Sequence, residues 1–350
     1  MGNSTSTKRE AEPGNGRDTL LEVKGLRTHF TVEEGEVCAV DGVTFRVRRG
    51  KVLAIVGESG CGKSVTAYSI LRLIQKPGRI VAGEITLYPK KGRPIQVLSL
   101  PDRSDTLFRL RGGLVSMIFQ EPMTALSPVH TIGNQICEAI LLHQDVTKEE
   151  ARERAVDMLS RVGIPGPEGR LSLYPHEISG GMRQRVVIAM ALVCHPELLI
   201  ADEPTTALDV TIQAQILHVI KRLQEEMGIS VLLITHDLGI VAQTADEVGV
   251  MYLGRLVEQA DVRTVMKRPR HPYTIGLLES LPSLSSEHAR LPSIKGHVPS
   301  LLEVPTGCPF HPRCPYARPG TCDADGPPEL SEVAPGHTVA CKLAGEIPHG

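Results

Sequence analysis

The octapeptide GESGCGKS follows a continuous apolar run, KVLAIVG, and matches the pattern G-x-x-x-x-G-K-[ST]. In that pattern the glycines let backbone N–H groups wrap around phosphates, the lysine reaches the β and γ phosphates, and the last hydroxyl binds Mg²⁺. A Gly-rich turn from strand to helix without a ligand is the plainer alternative, but the strand predicted in front of it favours phosphate binding. The predicted contact residues are Gly57, Ser59, Gly60, Cys61, Gly62, Lys63 and Ser64.

A second apolar run, ELLIADEP, ends in two neighbouring carboxylates, Asp202 and Glu203. Asp202 is suited to hold Mg²⁺ through water, and Glu203 could orient or deprotonate an attacking water molecule. Taken alone, adjacent carboxylates are more often part of a surface turn. In a chain that also carries a phosphate loop, they favour a catalytic role for Glu203 in phosphoryl transfer.

Three further fragments make the prediction more specific. The segment ISGGMRQR places Ser179, Gly180 and Gly181 at a predicted helix N-terminus, where N–H groups and the helix dipole favour an anion. Gln120 ends the run LVSMIFQ, and His236 ends the run ISVLLITH. Ligands of open α/β folds bind at the carboxyl ends of strands, so these two polar side chains join the predicted site, although one alone would usually be structural.

Short apolar runs alternate with helical periodicities along the chain. One helix is predicted from Thr147, which has capping-box spacing to Glu150, as far as Gly163. Another is predicted over IQAQILHVIKRLQEEM, with Gly228 as its C-terminal stop. This alternation predicts an α/β domain with a mainly parallel sheet. The predicted strands are LLEVKGL, VTFRVRR, KVLAIVG, GEITLY, LVSMIFQ, ELLIAD and ISVLLITH.

Composition limits the classes of function. The 350 residues contain 38 Lys and Arg against 40 Asp and Glu, so there is no global positive field that would attract nucleic acid. The polar segment 1–19 lacks the apolar stretch of a signal peptide and is predicted to be a disordered tail. Apolar runs are too short to span a membrane. Length and the change in composition near residue 265 predict two units, residues 20–265 and residues 266–350.

The order GESGCGKS, FQEP, ISGGMRQR, LLIADEPTTALD and ITHD resembles the ATPase subunit of ABC transporters over about residues 20–260. The segment RHPYT and the tail CPFHPRCP are similar to the C-terminal extension of oligopeptide and dipeptide importer ATPases. The resemblance implies a P-loop NTPase fold, in which a RecA-like core carries an antiparallel β subdomain and a helical subdomain. A small Cys-rich extension follows this domain.

The resemblance also implies partners and roles. Two such subunits sandwich two ATP molecules, and the second subunit is expected to be a related but different chain. The complex would include two membrane permeases and an extracytoplasmic binding protein, at the cytoplasmic face of a prokaryotic inner membrane. Peptides are the expected cargo, with nickel or oligosaccharides as alternatives. The implied residues are Gln120, Glu203 and His236 for catalysis, Ser64, Gln120 and Asp202 for Mg²⁺, Ser179, Gly180 and Gly181 for the partner's ATP, Asp209 for the link between sites, and Phe30 for adenine.

Four of the eight cysteines lie in the last part of the chain: Cys308, Cys314, Cys322 and Cys341. Reduced, clustered thiols without signs of export are more often metal ligands or catalytic groups than disulfides. Their five, seven and eighteen intervening residues lack the close pairs common in structural zinc sites, which leaves zinc open but less favoured.

The resemblance implies a [4Fe-4S] cluster at these four cysteines, with a structural role expected and a redox-sensing role left open. The other cysteines are expected to be small buried or incidental residues: Cys38, Cys61, Cys137 and Cys194. A soluble ATPase with the same nucleotide motifs is a further alternative, although no sustained heptads suggest one.

Overall fold

The computed structural model describes residues 18–120, 125–206, 209–281 and 294–347. Residues 1–17 of the predicted tail lie outside this range, and the first strand begins at Thr19. The strands are β1 Thr19–Val32, β2 Gly35–Arg48, β3 Val52–Val56, β4 Gly78–Leu87, β5 Ile95–Gln96, β6 Val115–Ile118, β7 Leu198–Asp202, β8 Ser230–Thr235, β9 Glu247–Tyr252, β10 Arg255–Asp261, β11 Ser331–Ala334 and β12 His337–Val339. The helices are α1 Lys63–Ile70, α2 Asp105–Leu110, α3 Ile132–His143, α4 Lys148–Arg161, α5 Pro167–Arg170, α6 Gly180–Leu192, α7 Val210–Met227, α8 Leu238–Thr244, α9 Val262–Lys267 and α10 Pro272–Glu279.

A sheet of eight strands forms the centre, in the order β11-β12-β10-β9-β3-β8-β7-β6. Strands β9, β3, β8, β7 and β6 run parallel, as predicted for an α/β domain. All five residues of β3 are buried. Val52, Ala54 and Val56 pack into one hydrophobic cluster, whereas Leu53 and Ile55 pack into another. The strand is therefore covered on both faces, which explains its uninterrupted apolar sequence.

A smaller antiparallel sheet, in the order β2-β1-β4-β5, packs beside the first. It contains the predicted strands LLEVKGL, VTFRVRR and GEITLY. The stretch TVEEGEVCAV, which interrupts the expected pattern in sequence, is the end of a long hairpin in which Val32 pairs with Gly35 and His29 with Cys38. This sheet is the antiparallel β subdomain that the resemblance implies.

The two predicted helices form with the expected ends. Thr147 caps α4, and its capping box with Glu150 is complete in both directions. Gly163 follows with φ of 79°, a left-handed conformation that glycine adopts without strain. Helix α7 begins at Val210, two residues before the predicted start, because Asp209 accepts a hydrogen bond from the Ile212 N–H at 2.9 Å. None of the helices among the described residues is long and apolar enough to cross a membrane.

The extension is joined to the ATP-binding domain by strand pairing as well as packing. Strand β12 pairs with β10, so β11 and β12 continue the main sheet. The buried carboxylate of Glu258 accepts from the N–H groups of Arg270 and His271 at 2.7 and 3.0 Å, and His337 Nε2 lies 2.7 Å away. Tyr273 and Phe310 belong to the main hydrophobic cluster. Strand pairing and core packing therefore hold this segment against the ATP-binding domain.

Candidate nucleotide site

The phosphate loop connects β3 to α1 and lies tightly against neighbouring backbone. A Cβ atom on Gly57 would lie 2.2 Å from the Met251 carbonyl oxygen, and one on Gly62 would lie 2.1 Å from that of Ala39. Gly62 also has φ of 99°. Only glycine fits at these two positions, so the sequence pattern reflects close packing as well as room for a ligand.

Lys63, the first residue of α1, has its ammonium inside the loop. Its Nζ donates to the carbonyl oxygens of Gly57 and Glu58 at 2.9 and 3.0 Å, and the residue is 5% exposed. A phosphate in the loop would offer Lys63 charged oxygens in place of these neutral ones. Cys61, another predicted contact residue, is buried. It would therefore contact the ligand through its backbone and not through its thiol.

Ser64 and Asp202, two of the three residues predicted to hold Mg²⁺, are hydrogen-bonded to each other. Ser64 Oγ donates to Asp202 Oδ1 at 3.0 Å, and Asp202 is fully buried at the end of β7. Its other oxygen, Oδ2, is buried without a hydrogen-bond partner. Burial raises the pKa of Asp202 to about 6, against a smaller lowering by the Ser64 hydrogen bond. A hydroxyl beside an unpartnered buried carboxylate oxygen fits Mg²⁺, which prefers oxygen ligands.

Glu203 stands directly after Asp202 and has three polar neighbours. Its Oε2 accepts from Gln120 Nε2 at 3.1 Å and from Thr206 Oγ1 at 2.9 Å, and its Oε1 lies 3.3 Å from His236 Nδ1. Burial by itself would raise the pKa of Glu203, but the hydrogen bonds with Thr206 and His236 outweigh it and the pKa lies below its ordinary value. The structure therefore brings together all three predicted catalytic residues.

Two features of this arrangement were not predicted. Thr206 was missed, although it follows Glu203 at a spacing from which a hydroxyl can reach back to the carboxylate. Glu203 itself has φ of 45°, and non-glycine residues in this left-handed region are strained. No sequence signal reports this backbone conformation, which Glu203 adopts immediately after β7 ends.

The remaining predicted contact residues lie on other elements. Ser179 caps α6 by accepting from Met182 N–H, and Ser179 and Gly180 are exposed. Asp209 caps α7. Phe30 is half-buried on β1, paired with Gly78 on β4. Their predicted roles concern a partner's nucleotide and the adenine base, which a single chain without ligand does not test, so these roles stay predictions.

The four cysteines of the extension line one small cavity together with His271 and Phe310. All eight cysteines of the chain are free thiols. Within the described ranges, however, no three His, Cys, Asp or Glu side chains are grouped so that they could hold a metal ion. Burial raises the pKa of the Cys341 thiol to about 11. The four cysteines thus share one cavity, and the predicted metal centre is not supported by the geometry of the described residues.

Comparison with known proteins agrees with the motifs. The profile of the ABC transporter family matches residues 40–206, and that of the oligopeptide/dipeptide transporter C-terminal region matches residues 257–322. The oligopeptide transport ATP-binding protein OppD of Salmonella typhimurium is 48% identical over 97% of this chain and 98% of its own. The chain belongs to the ATP-binding subunits of peptide-type ABC transporters. A Sinorhizobium fredii relative named as a probable peptide ABC transporter ATP-binding protein, y4tR, is 54% identical over 94% of this chain and 96% of its own.

Membership of this family makes the chain an ATPase subunit of the ABC type. A solved structure, the dimeric ATP-binding cassette MJ0796 in a post-hydrolysis state bound to ADP and Pi, superposes with a TM-score of 0.61 at 26% identity. The match covers 70% of this chain and 99% of the cassette. The fold expected of an ABC ATPase is thus confirmed.

The raised pKa of Asp202 predicts a pH dependence of stability in the protein without metal or nucleotide. A carboxyl whose pKa rises from 3.8 to about 6 on folding binds its proton more tightly in the native state. The free energy of unfolding should therefore fall as the pH rises through this range, by roughly 2–3 kcal/mol relative to Asp202→Asn. Chemical denaturation of both proteins from pH 4 to pH 8 measures the difference. Asp157→Asn, at an exposed position on α4, is the control. Parallel curves for wild type and Asp202→Asn would contradict the assignment.

Proposed function

We propose that this chain is the ATP-hydrolysing motor subunit of a peptide importer, coupling ATP binding and hydrolysis to uptake of di- or oligopeptides. ATP hydrolysis is supported by the position of the Glu203 carboxylate. Gln120, Thr206 and His236 hold it next to the Ser64–Asp202 pair. Peptides as the cargo are supported by the names of the relatives and by the match of the C-terminal region.

The residues at the sheet edge divide the chemistry among them. Lys63 would bind the β and γ phosphates, while Ser64 and Asp202, with Gln120, would hold Mg²⁺, which neutralises developing charge. Glu203, whose pKa lies below its ordinary value, is ionised at neutral pH and can accept a hydrogen bond from an attacking water. His236 and Gln120 fix the orientation of that carboxylate.

Replacing Glu203 tests whether ATP binding and ATP hydrolysis depend on different residues. We expect Glu203→Gln to keep ATP affinity but to lower kcat by about 10²–10⁴-fold, because the charge that acts on water is lost and the phosphate cradle stays intact. Lys63→Ala should weaken ATP binding instead. Both variants are measured by nucleotide titration and by phosphate release. Hydrolysis by Glu203→Gln at the wild-type rate would contradict the proposed role.

The complete ATP site is proposed to need a second, related ATPase chain. The exposed N-terminus of α6 at Ser179 and Gly180 supports this, since its N–H groups could contact phosphates held by another subunit. The related cassette of known structure is described as dimeric. We further propose that two permeases and an extracytoplasmic binding protein complete the complex, with this chain on the cytoplasmic face of the inner membrane.

A shared site predicts activity that depends on assembly. The isolated chain should hydrolyse ATP slowly, and co-expression with the second ATPase and the permeases should raise turnover. Phosphate release is measured across a dilution series while light scattering reports the oligomeric state. Full activity where only monomer is present would exclude the shared site.

We propose that Cys308, Cys314, Cys322 and Cys341 hold one [4Fe-4S] cluster, with zinc as the alternative. Support comes from their common cavity and from the Leu343 N–H, which lies 3.4 Å from Cys341 Sγ, because hydrogen bonds to sulfur are typical of such sites. Zinc is less favoured because the spacings of the four cysteines lack the close pairs common in structural zinc sites.

Metal analysis tests this proposal directly. We expect anaerobically purified protein to contain about four iron and four sulfide per chain, and Cys314→Ser to lose most of both. Cys137→Ser, a change outside the extension, should keep them. Stoichiometric zinc without sulfide would overturn the cluster, and an unchanged metal content in Cys314→Ser would overturn the ligand assignment.

A further inference from the structure

Two separate segments of the extension hold Glu58, the second residue of the phosphate loop. The guanidinium of Arg313 forms a two-pronged ion pair with the Glu58 carboxylate, at 2.7 Å from Nη1 to Oε2 and 3.0 Å from Nη2 to Oε1. The backbone N–H of Glu58 donates to the hydroxyl of Tyr273 on α10 at 2.9 Å. The chemistry derived above gives Glu58 no role, so these contacts need a separate explanation.

Arg313 is built into the interior of the protein. Its side chain is 5% exposed, its Nε donates to the Lys295 carbonyl at 3.2 Å, and its Nη1 lies 3.4 Å from the Tyr252 hydroxyl. The guanidinium also lies over the rings of Tyr252 and Phe310, 5.8 and 6.0 Å from their centroids. A buried charge is strongly destabilised when its partner is removed, so Arg313 is a fixed anchor for Glu58.

Glu58 also contacts Lys63, the residue predicted to bind the β and γ phosphates. The Glu58 carbonyl accepts from Lys63 Nζ, as does that of Gly57. When ATP binds, Lys63 must exchange these carbonyls for phosphate oxygens while the loop keeps its shape. A loop that is held from outside loses less conformational freedom on binding, and its affinity for the ligand is higher for that reason.

The anchor is carried by the cysteine-bearing segment. Arg313 lies in a short 3₁₀ turn, His311–Arg313, between Cys308 and Cys314. The Cys314 N–H donates to the His311 carbonyl at 3.2 Å, and the Cys308 N–H donates to the Cys322 carbonyl at 2.7 Å. Arg313 is thus attached to the backbone that shapes the cysteine cavity, and a change in that cavity would reach the phosphate loop through one side chain.

We propose that Arg313 is a positioning residue for ATP: through Glu58 it keeps the phosphate loop in the shape that binds nucleotide, and it couples the cysteine-bearing segment to ATP affinity. The proposal uses the family's ATP binding and depends neither on peptides as cargo nor on which metal, if any, the cysteines hold.

A double-mutant cycle on the full-length chain tests the coupling. MgATP is titrated by calorimetry into wild type, Arg313→Met, Glu58→Gln and the double variant. We expect each single variant to weaken ATP binding by about tenfold and the double variant by no more than either one, because both remove the same interaction. Arg318→Met is the matched control, since Arg318 pairs with Glu346 inside the extension. It should bind ATP within about twofold of wild type.

Steady-state kinetics distinguish positioning from loss of folding. Arg313→Met should raise KM for ATP and leave kcat nearly unchanged, because the surroundings of Glu203 are not altered. Arg313→Lys keeps the charge but not the two-pronged geometry. Its KM should therefore lie between that of the wild type and that of Arg313→Met. Unchanged ATP affinity in a folded Arg313→Met would overturn the proposal. A lowered kcat at unchanged KM would also overturn it, as would losses that multiply in the double variant.

Discussion

Strand β3 is the constraint on which the rest of the structure depends. It pairs with β8 on one side and β9 on the other, and its side chains alternate between the two hydrophobic clusters. A strand fixed on both edges and both faces cannot shift its register, because one step would move every apolar side chain to the opposite face. The phosphate loop begins where this strand ends, so its position is set by a strand that is buried at every residue.

The neighbouring carboxylates at the end of β7 show how one peptide segment supports two kinds of chemistry. Asp202 is fully buried, which raises its pKa, and one of its oxygens has no hydrogen-bond partner and is free to accept the proposed Mg²⁺. Glu203 is one residue further on, where hydrogen bonds from Thr206 and His236 keep its pKa low. Opposite pKa shifts in neighbouring carboxyl groups are typical of sites in which the two groups have different chemical roles.

The C-terminal extension is structurally continuous with the ATP-binding domain. Strands β11 and β12 continue its sheet, Tyr273 and Phe310 enter its core, and Arg313 reaches its phosphate loop. Three kinds of contact, namely strand pairing, apolar packing and a buried ion pair, therefore join two regions that differ sharply in composition. In this chain the phosphate loop is held by contacts from both regions.

The sequence by itself determined the α/β class, the central strands, the capped helix at Thr147 and the identity of the residues at the sheet edge. These features depend on local spacing or on short motifs, and the chemistry of phosphates restricts the residue types that can serve. The meeting of Gln120, Glu203 and His236 followed because parallel strands end at one edge.

Only the tertiary structure decided what depends on residues far apart in the chain. The pairing of Glu58 with Arg313 joins residues 255 positions apart, and nothing in either segment specifies the other. The strain at Glu203, the partnering of Thr206 and the addition of β12 to β10 likewise arise from packing between elements. Periodicity records which face of an element is buried, but it does not record against what, because many apolar surfaces of similar shape could cover the same face.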